Sequence, residues 1–250
     1  MMLLVDPRNP KATELAARLR ELLPDDWEPG VHLVLGGDGY MLRAVASQGL
    51  ERPFLGLNCG HLGFLMNDLE WPLEELVERL LAQRWRTFRF PLLESTITTT
   101  AGEIVTEHSM NDIYLQRESG HAARLRLTVD GREVDDSLGC DGPVVATALG
   151  STAYSFSAGG TPLHPRIPAM LVTPICPHRP RLSPVALPPD SRVVVQVLSA
   201  GHRPVSAMAD GRQVASVAEV DVRYGEDAVE VAWFEDHEFT AHLIDKILKP

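Results

Sequence analysis

Positive charge is scarce in this chain: 23 lysines and arginines face 34 aspartates and glutamates, a formal net charge of −11. A nucleic-acid surface needs clustered basic residues to displace phosphate counterions, so no nucleic-acid partner is expected. Any phosphate ligand must then be held locally, by backbone amides, a few arginines or a metal ion. Cysteine is almost missing. Cys59, Cys140 and Cys176 are odd in number and far apart, which speaks against a disulfide framework or a zinc site and predicts buried free thiols. Long apolar runs are absent as well. The opening MMLLVDPRNP reaches Asp6 and Pro7 after five apolar residues, too few for a signal peptide or a span, so a soluble, cytoplasmic protein with no membrane partner is expected.

What remains is a chain of 250 residues, 44% of them hydrophobic, enough for one large domain or two small ones. Its pattern changes near residue 90. Before that point, Leu3–Val5, Val31–Leu35 and Pro53–Asn58 read as short buried strands separated by helical segments. Asn9-Pro10 starts one helix, with Leu15, Leu19, Leu22 and Leu23 on one face; Pro72 starts another, with Leu73, Leu76, Val77, Leu80 and Leu81. Strand and helix alternating at this spacing predict a parallel sheet covered by helices.

From Glu94 onward strand follows strand. ESTITTTAGEIVTE turns at Ala101-Gly102, and RLRLTVDGREVDD turns at Asp130-Gly131, a strong hairpin signal. Further strands are predicted at Val144–Thr147, Leu171–Ile175, Val193–Leu198, Val217–Arg223 and Val229–Trp233, while the proline-rich stretch Pro162–Pro189 should wind over the surface or between the halves. The fold class is therefore an α/β N-terminal domain, residues 1–90, with a mainly β C-terminal domain, residues 91–250, whose last residues are free to pack back on the first.

Three stretches carry candidate chemistry. Gly36-Gly37-Asp38-Gly39 follows a strand and opens a helix, the carboxyl end of a parallel strand where open α/β sheets bind ligands. A carboxylate there would repel a phosphate unless it has chemistry to perform or a cation comes with the phosphate. Asn111-Asp112 heads a strand-like NDIYLQR, and DGPVVATALGSTAYSFSAGG, Asp141–Gly160, joins a buried strand to a run of small and hydroxylated residues.

In this order GGDG, GLNCGHLGFL, NDIYLQR, DGPVVATALGSTAYSFSAGG, LVTPICPH and ADGRQ, over about residues 31–215, resemble the NAD kinase family. The GGDG turn alone is not specific, since diacylglycerol and sphingosine kinases and phosphofructokinases share a related one; the GSTAY block followed by TPICPH is. The resemblance implies phosphoryl transfer to the 2′-hydroxyl of the adenosine ribose of NAD, giving NADP, with ATP or polyphosphate as donor, Mg²⁺ or another divalent metal, and a homodimer or homotetramer. It makes Asp38 the carboxylate that accepts the hydroxyl proton. It gives Gly37, Gly39 and Arg43 to the phosphates, and Asn111, Asp112, Asp141, Thr152, Ala153, Tyr154, Ser155, Phe156, Ser157 and Gln213 to dinucleotide binding. The chain departs from the family at Tyr40, usually Thr, at Asp112, commonly Glu, and at Thr147-Ala148-Leu149, where Thr-Pro-Thr is usual. Tyr40 is expected to bear on the donor, and Asp112 to keep the charge on a shorter arm.

Overall fold

A computed structural model describes residues 3–178 and 181–249; residues 179 and 180 of the proline-rich stretch lie outside the described residues. In chain order the elements are β1 (Leu3–Val5), α1 (Pro10–Leu22), β2 (His32–Gly36), α2 (Asp38–Gln48), β3 (Phe54–Asn58) and α3 (Leu73–Leu81), followed by β4 (Trp85–Thr99), β5 (Ile104–Ser109), β6 (Asp112–Arg117), β7 (Ala123–Val129), β8 (Arg132–Cys140) and β9 (Gly142–Thr147). A 3₁₀ turn (Leu149–Thr152) leads into the short α4 (Tyr154–Ser157). Then come β10 (Met170–Ile175), β11 (Val185–Leu187), β12 (Val193–Val197), β13 (Val205–Ala209), β14 (Arg212–Val214), β15 (Val217–Phe234), α5 (Phe239–Leu243) and a π-type turn (Ile244–Leu248). Two compact units result, one of Met1–Phe90 with Ala228–Pro250, the other of Pro91–Asp227.

In the first unit β1, β2, β3 and the end of β15 pair in parallel in that order. Helix α1 starts as its sequence predicts: Asn9 caps it by accepting from the Ala12 amide at 3.3 Å, and Pro10 occupies a position whose N–H would have no helical partner. Its buried stripe is Ala12, Ala16 and Leu19, continued by Leu23. Leu22, expected on that stripe, is exposed, because at 3.6 residues per turn it falls about 80° from the Ala12 line. Leu81 is exposed for the same reason, about 100° from the buried Leu80. The core of this unit gathers Leu33, Leu35, Leu55, Leu57, Leu76, Leu80 and Phe234 around the α1 stripe. Asn67 ties it to the end of β15: its side chain donates to the carbonyls of Gly56 and Ala232 and accepts from the Phe234 amide.

The second unit is a sandwich. One sheet runs from the first part of β15 through β12 and β7 to β8, with β4 and β5 attached; the other runs β11–β10–β9–β6–β13–β14. Alternate residues of both, such as Val193 and Val195 from the first and Val145, Met170 and Val172 from the second, fill one shared core. Strand β10 is buried throughout because its other face is covered too: Leu171 and Ile175 pack with Val144, Ala146, Tyr154 and Leu163. Its Pro174 lies opposite Pro143 of β9, beyond the last pairs of their other neighbours β11 and β6, so neither ring removes a ladder bond that a third strand needs. The Asp130-Gly131 turn has positive φ at both positions, 51° and 76°, the primed turn that such a pair favours.

Two expectations are corrected. The strands predicted at Val217–Arg223 and Val229–Trp233 are one strand of 18 residues, β15. The Gly225-Glu226-Asp227 stretch reads as a break, yet pairing with β4 keeps it extended, and the Arg223 guanidinium holds Glu94 of β4 at 2.6 Å. Of the thiols expected to be buried, Cys59 and Cys140 are, whereas Cys176, with φ 46°, is exposed. Burial pushes the Cys140 thiol up to about 12, leaving it protonated and inert.

Candidate active site

In the first unit β2 delivers the glycine-rich turn at its carboxyl end. Gly37 sits in extended backbone as the N-cap of α2, and Asp38 is the first helical residue. A carboxylate in the first turn is favoured by the helix dipole. What fixes it in place is a second segment: Oδ2 accepts from the Phe64 amide at 2.8 Å and Oδ1 from the Leu65 amide at 2.9 Å. Burial pushes the Asp38 carboxyl above the usual range, opposed first by the Leu65 and Phe64 amides and then by the charges of Lys246 and His242. The group is thus aimed, partly desolvated and more basic than an exposed aspartate. A side chain at Gly37 would meet no described atom within 4 Å, so bare, approachable backbone is left at the helix start. Gly39 is exposed.

Arg43, one turn further on, is half exposed; it contacts Asp6 at 3.4 Å and stands over the Tyr40 ring at 5.3 Å. Phe64, whose amide grips Asp38, packs edge-on against His242 at 5.6 Å between ring centres.

In the second unit Asp112 begins β6 and Asn111 immediately precedes it, both buried. They are built in by three neighbours. Asp210, in the β13–β14 turn, accepts from the amides of Met110, Asn111 and Asp112 at 2.6, 3.1 and 3.3 Å and returns its own amide to the Asp112 carbonyl. Thr147 donates its hydroxyl to the Met110 carbonyl at 2.8 Å and accepts from the Gly150 amide at 2.9 Å. Gly150 itself lies so close that a Cβ there would fall 2.1 Å from the Asn111 carbonyl oxygen. Desolvation, then the Asp210 carboxylate, raises Asp112 to about 7; burial also raises Asp210. Among the described residues the buried Asn111 Oδ1 has no hydrogen-bond partner. Such an atom is rare in a folded core and marks a place where a ligand donor or water belongs.

The other expected residues are arranged as follows. Tyr154 meets Tyr114 edge-on at 4.6 Å, partly buried. Thr152 and Ala153 are partly buried, and Phe156 and Ser157 are exposed. Ser155 is turned inward, its hydroxyl bonded to Thr173 at 2.8 Å, so within this run it supports the backbone and presents no side chain. Asp141 is engaged by Arg117, whose Nε donates to it at 2.5 Å. Gln213 is exposed on β14 opposite Met208. Asp210 and Thr147 were not among the candidates read from the sequence. An Asp-Gly pair between alternating residues is first of all a turn, and only the partners of its carboxylate show the second role.

A family model for the ATP-NAD kinase C-terminal domain matches residues 110–231. Among curated proteins, NAD kinase of Brucella suis is 42% identical over 193 residues, 76% of this chain and 74% of that one. NAD kinase of Zymomonas mobilis is 37% identical over 230 residues, 88% and 86%. Among solved structures, an NAD kinase from Archaeoglobus fulgidus in complex with ATP has a TM-score of 0.78 at 25% identity, over 99% of this chain and 98% of that one. Yeast NADH kinase complexed with NADH has a TM-score of 0.76 at 28% identity, over 88% of this chain and 65% of the longer yeast chain. With the α/β unit carrying the aspartate and the sandwich carrying the Asn-Asp pair, these similarities establish that the chain belongs to the NAD kinase family.

Proposed function

We propose that this kinase transfers the γ-phosphoryl group of ATP to the 2′-hydroxyl of the adenosine ribose of NAD, with Asp38 accepting the hydroxyl proton. A loose transition state releases that proton late, so the base needs aim more than strength. Two backbone amides give Asp38 the aim, and each carboxylate oxygen keeps a lone pair for the hydroxyl. The open backbone at Gly37, the N-cap of α2, and at Gly39, in its first turn, suits phosphate oxygens, and Arg43 would turn from Asp6 to the donor.

Asn111 and Asp112 hold the dinucleotide, with Asp141, Gln213 and the backbone of Thr152–Ser157 beside them. The observation that carries this assignment is the unpartnered Asn111 Oδ1, buried at the head of a strand and braced by Asp210, Thr147 and Gly150. An acceptor kept without a donor suits a ribose hydroxyl or the carboxamide of the substrate.

A divalent ion, Mg²⁺ in this reading, would offset the negative charge of the donor phosphates. Among the described residues no group of three or more His, Cys, Asp or Glu could hold one. Polyphosphate remains an alternative donor. No described helix is long and apolar enough to cross a membrane, and the exposed free thiol of Cys176 fits the reducing cytoplasm we assign to it.

The test is to incubate the pure chain and Mg²⁺ with ATP or polyphosphate and with NAD or NADH, then measure NADP(H) by a coupled dehydrogenase. Product with ATP and NAD is expected. No product with any combination would remove the assignment.

A further inference from the structure

The segment that grips Asp38, residues 59–66, has almost no regular structure of its own. What it leans on is the far end of the chain. The Lys246 ammonium, just past α5, donates to the carbonyls of Leu62 and Gly63, the two residues before the gripping amides of Phe64 and Leu65. Its remaining bond goes to Asp68, at 2.9 and 3.0 Å from the two carboxylate oxygens. Asp68 in turn accepts from Asn58 Nδ2 at 2.8 Å, at the end of β3. His242 Nε2 completes the set by donating to the Gly63 carbonyl at 3.2 Å. Lys246 is only 15% exposed, so three fixed acceptors hold it where solvent screens little.

We propose that Lys246, seated by Asp68, is a positioning residue for the catalytic base: it fixes the Gly63–Phe64 peptide unit, whose amide grips Asp38, together with the unit before it, and places a partly buried cation near its carboxylate. This rests on the reading of Asp38 as the base. Among the described residues the hydrogen-bond partners of the Lys246 ammonium belong to the loop or are Asp68. The titratable groups facing Asp38 are Lys246 and His242, and positive charge on either favours its ionised form. Arg43, on the same helix as Asp38, is turned to Asp6. Around the ammonium stand Asp68, His242 and the partly buried His237. Burial and then the Lys246 charge push the His242 imidazole down, toward its neutral form.

The full-length enzyme is compared with Lys246→Met, Lys246→Arg and Asp38→Asn, measuring kcat, KM for NAD and the pH profile of kcat, with a melting curve for each. Lys246→Met should lower kcat by about tenfold, as a misplaced base does, and leave the NAD KM within about twofold. Its acid limb should move to higher pH, because a carboxylate that loses a neighbouring cation holds its proton more tightly. Lys246→Arg should recover most of both effects. Should Lys246→Met fail to fold, Lys246→Gln keeps a donor for the carbonyls without the charge and should still raise the acid limb. Unchanged kcat and acid limb in the methionine or glutamine variant would overturn the inference. So would a loss of activity that follows the melting temperature while the acid limb stays in place. Normal turnover in Asp38→Asn would instead remove the base itself, whatever Lys246 does.

Discussion

At the scale of single residues two aspartates, Asp38 partly buried and Asp112 buried, are given different work by their surroundings in the reading proposed above. Asp38 is held by amides that favour its charged form, in a place where burial disfavours it. Asp38→Asn keeps the side-chain shape and removes the proton acceptor, so turnover should fall roughly 10²–10⁴-fold, the range a general base supplies. NAD affinity, which the proposal assigns to the sandwich, should change only several-fold by calorimetry; a large loss of affinity with near-normal turnover would exchange the roles assigned here. Asp112 has no such amides of its own and stands near Asp210, which lifts it to about 7 after burial has done most of the work. Its pKa is thus raised on folding from the ~3.9 of an unfolded chain. Between these values the native state binds more protons than the unfolded one, so this group lowers stability as pH rises from about 4 to about 7 and adds no further slope above that. Asp112→Asn should flatten that decline in the ligand-free protein. Melting curves taken at half-unit steps check it, and identical slopes in both proteins would mean Asp112 is ionised throughout.

At the scale of elements the site depends on close approach between backbones. Gly150, after β9, leaves no room for a Cβ beside the Asn111 carbonyl, while Thr147 binds Met110 and Asn111 and Asp210 binds Met110, Asn111 and Asp112. Gly150→Ala would therefore push the head of β6 out of register, and both a lower melting temperature and weaker NAD binding are expected. Full stability with full NAD affinity would show that this packing does not set Asn111. Much of the element level was legible beforehand. The primed turn at Asp130-Gly131 follows from residues that tolerate positive φ, and the start of α1 from Asn9 and Pro10, because both depend on neighbours in sequence. The break expected inside β15 was not real, since whether Gly225-Glu226-Asp227 stays extended is decided by β4, more than 100 residues away.

At the scale of the molecule, β8, β11 and β14 lie at the ends of their sheets with largely exposed residues. Such edges invite pairing, and closed symmetry is the usual outcome, so a homodimer or homotetramer is expected. Light scattering at micromolar concentration should give two or four times 27.5 kDa, and a single mass of that size would refute it. The sequence by itself determined the α/β and β halves, the glycine-rich turn at a strand end and the order of motifs that marks the family. Each is a local signal: periodicity, turn chemistry or a contiguous run of residues. Only the tertiary structure decided what surrounds them. Asp210 reaches Asn111 across 99 residues, and Lys246 reaches Leu62 across 184. A lysine near the end of the chain and an aspartate in a hairpin turn look like ordinary surface residues until the fold closes. Their roles come from which amides and carbonyls they meet, and long-range pairing writes no periodic pattern into the sequence that it joins.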